Sequence, residues 1–190
     1  ENFDFDGEKL LIAKSGYSKQ GGYEIYVNGP KIAIKLWDAL FEEGKEFNVR
    51  AGCPNLIERI EGGLLSYGND MTIENTPYEC GFGKFLKEKI PNQCISARVL
   101  NSDKIRNPKK IIKSISINYK EKVYCESVWK VVDEKNETVG QVTSGAFSPD
   151  FDKIVALGMI NKDCANSENR LFTLINGKKY LTHIHEKPFI

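Results

Sequence analysis

From about Lys89 onward, polar and apolar residues alternate with a period of two, the pattern of strands that bury one face. Six segments carry it: Ile111 to Tyr119, Ser127 to Val132, Glu137 to Thr143, Lys153 to Leu157, Leu171 to Ile175 and Lys178 to His185. Asp, Asn, Gly and Pro turns separate them, so six strands with short links predict an antiparallel sandwich or barrel. The residues before them read differently. Lys9 to Lys14 and Tyr23 to Val27 are strand-like and flank the turn-rich Ser15-Gly16-Tyr17-Ser18-Lys19-Gln20-Gly21-Gly22, which predicts a hairpin with a long loop. Pro30 to Phe41 places Ile32, Leu36, Leu40 and their neighbours at helical spacing, with Pro near the start and Gly44 just past the end. A second, short helix is expected over Asn55 to Ile60, after Pro54, running into a sharp turn at Gly62-Gly63. The polar, proline-containing stretch at 88 to 96 predicts the boundary between two domains, residues 1–88 and 95–190, in an α+β chain.

Composition narrows the function classes. The chain has 190 residues, 41% hydrophobic and 28% charged, the ordinary globular range. Lys plus Arg (27) nearly cancels Asp plus Glu (26), so no global field favours nucleic acid or an anionic membrane, and neither is expected as a partner. No apolar run approaches the roughly 18 to 20 residues of a membrane span. The first residues lack both an initiator Met and the pattern of a signal peptide, so the start is expected to be cut from something longer. Five cysteines, Cys53, Cys80, Cys94, Cys125 and Cys164, contain no Cys-x-x-Cys pair. They are read as buried or idle thiols of a cytoplasmic protein rather than as a disulfide framework or zinc cage, and the Asn136-Glu137-Thr138 sequon is set aside on the same ground.

Few residues carry recognisable chemistry. His183 and His185 share one strand face and could seed a metal site, but spacing marks no third ligand, and the expected metal is none. Gly62-Gly63 and Gly81-x-Gly83 lack the setting of a phosphate-binding loop. A denser set lies between Gly16 and Met71, where Tyr17, Tyr23, Glu24, Tyr26, Arg59 and Tyr67 bring a carboxylate, a guanidinium and aromatics together with flexible backbone. That set suits a flat heteroaromatic ligand, with rings on its faces and a carboxylate pairing with N–H donors on its edge. The same residues also read as an exposed strand carboxylate and tyrosines that close a core, and composition does not choose between the two.

The motifs themselves carry a resemblance. Gly16-Tyr17-Ser18 with Gly21-Gly22-Tyr23-Glu24-Ile25-Tyr26 resembles the Gly-Tyr-Thr-Gly-Glu-x-Gly-x-Glu-Ile signature of the glycine-cleavage T-protein (aminomethyltransferase) family. Arg59-Ile60-Glu61 with Leu65-Ser66-Tyr67-Gly68-Asn69-Asp70-Met71 is similar to that family's Arg-Leu-Glu and Leu-Tyr-Gly-x-Asp-Met, and Pro77-Tyr78-Glu79-Cys80-Gly81-Phe82-Gly83 to its Pro-x-Glu-Ala-Gly-Leu-Gly. Val139-Gly140-Gln141-Val142-Thr143-Ser144-Gly145-Ala146-Phe147-Ser148-Pro149 looks like its Gly-x-Val-Thr-Ser-Gly-x-x-Ser-Pro, and Pro188-Phe189 like its usual ending. Within the family, the run from Cys53 to Thr72 and the loop from Gln20 to Val27 look most like the dimethylsulfoniopropionate demethylase branch, although Lys19 stands where a small residue is expected.

The resemblance implies the C-terminal part of a three-domain cloverleaf fold, with an antiparallel β-barrel or jelly-roll as its last domain. It implies tetrahydrofolate as methyl acceptor, a small sulfonium substrate, and a missing N-terminal half that would hold the catalytic aspartate, so the catalytic residue of this chain is unknown. By carry-over, Glu24 would pair with the pterin edge, Arg59 and Tyr67 would shape the folate pocket, and Tyr26 and Tyr17 would face the substrate. Aminomethyl transfer from a lipoyl carrier protein and a non-catalytic folate-binding relative stand as alternatives, and whether the full protein forms a homodimer stays open.

Overall fold

The computed structural model describes residues 2–52 and 56–190. Cys53, Pro54 and Asn55, with the expected start of the second helix, lie outside them. The chain forms two compact units, residues 1–58 and 59–190.

The first unit opens with β1 (Asn2–Phe5), β2 (Glu8–Ala13) and β3 (Glu24–Tyr26), an antiparallel sheet in that order. The expected hairpin is therefore the second and third strands of a three-stranded sheet. The added strand, β1, turns into β2 at Asp6-Gly7, both in left-handed backbone, and pairs Phe3 with Leu10. Helix α1 (Pro30–Glu43) begins on its proline and stops at Gly44, whose amide donates to Leu40 O at 3.0 Å. Lys35 of α1 pairs with Asp6. Among the described residues of this unit, the buried large apolar side chains are Leu10 and Ile32.

The second unit begins within helix α2 (Leu56–Glu61), which ends in a Schellman motif: Leu64 N donates to Arg59 O at 2.8 Å and Gly63 N to Ile60 O at 3.0 Å. Gly63 is required there twice over. Its φ is +67°, and a Cβ would come within 2.8 Å of the Pro188 ring. Two short helices, α3 (Ala97–Leu100) and α4 (Asp103–Arg106), follow the stretch at 88 to 96 that was expected to be a domain boundary.

Six strands then close a barrel: β4 (Lys110–Ile117), β5 (Trp129–Val132), β6 (Thr138–Ser148), β7 (Lys153–Asn161), β8 (Leu171–Ile175) and β9 (Lys178–His185). Their order is β4-β7-β6-β5-β8-β9, and antiparallel pairing of Ile117 with Thr182 through Ser114 with His185 joins the ends. Ile115, Ile117, Val131, Val142, Ile154, Ile160 and Leu171 fill the interior, each at most 1% exposed. On β7 the alternate residues Val155, Leu157 and Met159 are buried as well, so the strand is covered on both faces. β6 and β7 run five and four residues beyond the expected ends at Thr143 and Leu157, because Ser144-Gly145-Ala146 of β6 pairs with Val155-Ala156-Leu157 despite weak strand propensity, and Gly158 to Asn161 of β7 pairs with Lys110 to Lys113 of β4.

The division between units at 58/59 differs from the change of texture at 88 to 96. Residues 59–109 belong with the barrel because hydrogen bonds stitch them to it: Ile112 N donates to Glu79 O and Lys162 N to Lys109 O, each at 2.8 Å.

Candidate functional site

Expected site residues occur in both units. In the first, Glu24 and Tyr26 stand two residues apart on edge strand β3, hence on one face, and both are exposed while Ile25 between them is half-buried. Ser15 donates its hydroxyl to Glu24 Oε2 from the start of the loop. Within that loop Lys19 (φ 59°), Gly21 (81°) and Gly22 (137°) take left-handed backbone. A lysine there costs roughly 1 kcal/mol, which explains why a small residue is the natural expectation at the position. Gln20 Nε2 donates to Glu58 Oε1 at 3.0 Å and ties the loop down, and Tyr17 is 41% exposed. An exposed carboxylate beside an exposed ring can accept adjacent N–H donors on a ligand edge and offer a ring face to a cation or a flat heterocycle.

In the second unit, Arg59 and Asp70 form a buried ion pair at 2.7 Å, with side chains 4% and 0% exposed. Arg59 Nη1 also donates to Leu64 O at 3.1 Å, and Nη2 to Ser144 Oγ at 2.6 Å. Asp70 Oδ2 accepts Ser66 N at 2.8 Å, and its Oδ1 accepts the Thr143 hydroxyl at 2.6 Å. Buried Glu61 accepts the Ser148 hydroxyl at 2.6 Å, and its backbone oxygen accepts the amides of Phe189 and Ile190. Arg59 thus lies inside a buried polar seam. Tyr67, on the turn that the seam encloses, is 66% exposed.

The seam ties together two motifs, of which the sequence reading gave a role only to Arg59 and Tyr67. Arg59, Glu61 and Asp70 come from one, Thr143, Ser144 and Ser148 from the other, and they bond pairwise across 73 to 87 residues of chain. The available signal was complementarity: three buried charges in one motif and three hydroxyls in the other.

The histidines take ordinary places. They share a face of β9, where His185 Nε2 hydrogen-bonds Ser116 Oγ at 2.8 Å and the ring meets Phe189 at 4.8 Å. Burial, then His183 and Lys153, pushes the His185 pKa below its usual 6.5. Among the described residues, no group of three or more His, Cys, Asp or Glu is placed to hold a metal ion. Of the described cysteines Cys80 is buried, Cys125 and Cys164 are half-buried, and Cys94 is exposed. Burial raises the Cys125 thiol to about 11. No helix among the described residues is long and apolar enough to cross a membrane.

Comparison with known proteins agrees with the barrel and places the end of the preceding domain at residue 89, in the stretch where the sequence changes texture, rather than at 58/59. Residues 1–89 match the GCVT N-terminal domain, and residues 115–190 match the glycine cleavage T-protein C-terminal barrel domain. The chain belongs to the glycine-cleavage T-protein family. It is 48% identical over 158 residues to the dimethylsulfoniopropionate demethylase of Ruegeria pomeroyi, covering 83% of this chain and 42% of that protein. To an aminomethyltransferase of Leptospira interrogans it is 30% identical over 189 residues, covering 98% and 50%. The crystal structure of the glycine cleavage system aminomethyltransferase T from Bartonella henselae superposes with a TM-score of 0.80 at 24% identity, over 95% of this chain and 50% of that one. The chain spans about half the length of the curated relatives it matches.

Proposed function

We propose that this chain is the C-terminal half of a tetrahydrofolate-dependent methyltransferase that demethylates dimethylsulfoniopropionate. The observation that carries the reading is the contrast in identity, 48% to a demethylase against 28–30% to aminomethyltransferases. Methyl transfer forms the N5–CH3 bond of 5-methyltetrahydrofolate and breaks one S–CH3 bond, whose electron pair stays on sulfur in methylmercaptopropionate. The N5 proton is released. Sulfonium is already an activated leaving group, so the protein has to hold nucleophile, carbon and sulfur in line and exclude water.

In this reading Glu24 accepts hydrogen bonds from the pterin edge, and Tyr26 offers its face to the sulfonium, a contact worth roughly 0.5 to 2 kcal/mol. Tyr17, on the loop before β3, adds a second ring toward the substrate, and Tyr67 lends an aromatic wall to the folate. Arg59 contributes from inside the seam through the turn it holds. The exposed apolar residues Ile34, Trp37 and Leu40 of α1 fit the further expectation that the rest of the longer protein covers this unit.

The test is turnover by the full-length protein with tetrahydrofolate and either dimethylsulfoniopropionate or an aminomethyl-lipoyl carrier as donor. The reading predicts 5-methyltetrahydrofolate from the sulfonium alone. Turnover of the lipoyl donor alone would assign aminomethyl transfer, and folate binding without turnover of either would assign a non-catalytic relative.

A further inference from the structure

We propose that the buried seam is a positioning device for the Tyr67 turn, with Thr143 and Ser144 of β6 as its positioning residues. The inference rests on the reading of Tyr67 as a folate-facing aromatic and adds what aims it. Residues on both sides of Tyr67 are pinned from inside. Ser66 N donates to Asp70 Oδ2 at 2.8 Å, Asp70 N to Ser66 O at 2.9 Å, and Gly68 N to Met71 O at 2.8 Å. The ring itself reaches outward, 66% exposed, from backbone that Gly68 bends at φ 92°.

The pins do not end within the turn. Asp70 is held in place by Arg59 and by the Thr143 hydroxyl, Arg59 by the Ser144 hydroxyl, and Thr143 Oγ1 lies 3.2 Å from Leu157 O of β7. The turn is thereby referenced to two paired strands of a closed barrel. A seam of this kind is costly to desolvate, and well-packed apolar side chains could fill the same space at equal or better stability. What apolar packing lacks is direction. Every buried polar side-chain atom among the described residues has a partner, so the seam admits one arrangement of the turn and leaves little slack at its tip. A turn fixed before the ligand arrives loses less freedom when its ring stacks, which raises affinity without a new contact.

Thr143 and Ser144 would then act on a ligand they do not touch. The experiment uses the full-length protein and reads tetrahydrofolate Kd, kcat and the urea midpoint for Tyr67→Ala, Thr143→Val, Thr143→Ser, Ser144→Ala and the Thr143→Val/Tyr67→Ala pair. The expected results are roughly tenfold weaker folate binding for Tyr67→Ala and for Thr143→Val, and recovery to within about twofold in Thr143→Ser, which keeps the hydroxyl. The double variant is expected to bind no more weakly than the weaker single, because once the ring is gone the aim of its turn no longer matters. Ser144→Ala, which removes only one partner of Arg59, is expected to weaken folate roughly threefold and serves where Thr143→Val does not fold. Unaltered folate affinity in Thr143→Val and Ser144→Ala beside a weakened Tyr67→Ala would overturn the seam's role. So would a double variant whose loss equals the product of the singles. Unaltered affinity in Tyr67→Ala would instead remove the reading of Tyr67 on which the inference stands.

Discussion

The two units of this chain use apolar residues in opposite ways. In residues 59–190 the aliphatic side chains of the barrel strands are consumed, while Ile73 and Ile95 outside the strands stay exposed: Ile115, Ile117, Ile154 and Ile160 are wholly buried, and the outer face of β7 is covered as well. In residues 2–52 only Leu10 and Ile32 among the large apolar residues are buried, at 2% and 8% exposure, while Trp37 is 53% exposed, Ile34 62% and Phe47 76%. Closure accounts for part of the contrast, since a barrel satisfies every strand edge within itself and an open three-stranded sheet cannot. The barrel unit therefore carries its own reasons to fold. The sheet-and-helix unit holds the exposed carboxylate and rings, and its stability is expected to depend on surface buried in a longer protein.

Breaking the seam should have the largest effect. Arg59→Ala or Asp70→Ala leaves one charge buried without its partner and should cost the barrel unit about 3 to 5 kcal/mol, read as a lowered urea midpoint. A loss under 1 kcal/mol would show that water reaches the pair.

Truncating one apolar residue in each unit sharpens the comparison. Ile154→Ala, at 0% exposure, should cost about 2 to 5 kcal/mol. Trp37→Ala, made in this 190-residue chain, should change stability by about 0.5 kcal/mol or less, because the ring is half in water apart from its contact with Phe41. Equal losses would erase the distinction between the units.

The smallest effect is on pH. The folded His185 resists protonation, so its contribution to stability is present above about 6.5 and declines as pH falls through the lower folded value. The urea midpoint should therefore fall less steeply below pH 6.5 in His185→Gln than in the parent, and identical slopes would assign no role to this ring.

Much of this was legible before the structure. Period-two alternation identified all six barrel strands, β8 and β9 to the residue, and Pro30 with Gly44 bracketed α1. The extensions of β6 and β7 were not legible, because Ser144, Gly145 and Gly158 carry no strand signal and are held by their pairing partners. β1 was hidden by Asp4 and by its place at the very start. At the site, the sequence pointed to Glu24, Tyr26, Tyr17, Arg59 and Tyr67 as a group. That Arg59 turns inward to Asp70 and Ser144 depends on bonds spanning 11 and 85 residues, which no local pattern encodes.

Glu24 is the residue on which the folate reading leans most, and titration of tetrahydrofolate into the full-length protein and its Glu24→Ala variant tests it directly. Loss of one charge-assisted pair predicts affinity weaker by about 1.5 to 3 kcal/mol, roughly 10- to 150-fold, with the barrel's urea midpoint unchanged. Equal affinity in the two proteins would contradict the account.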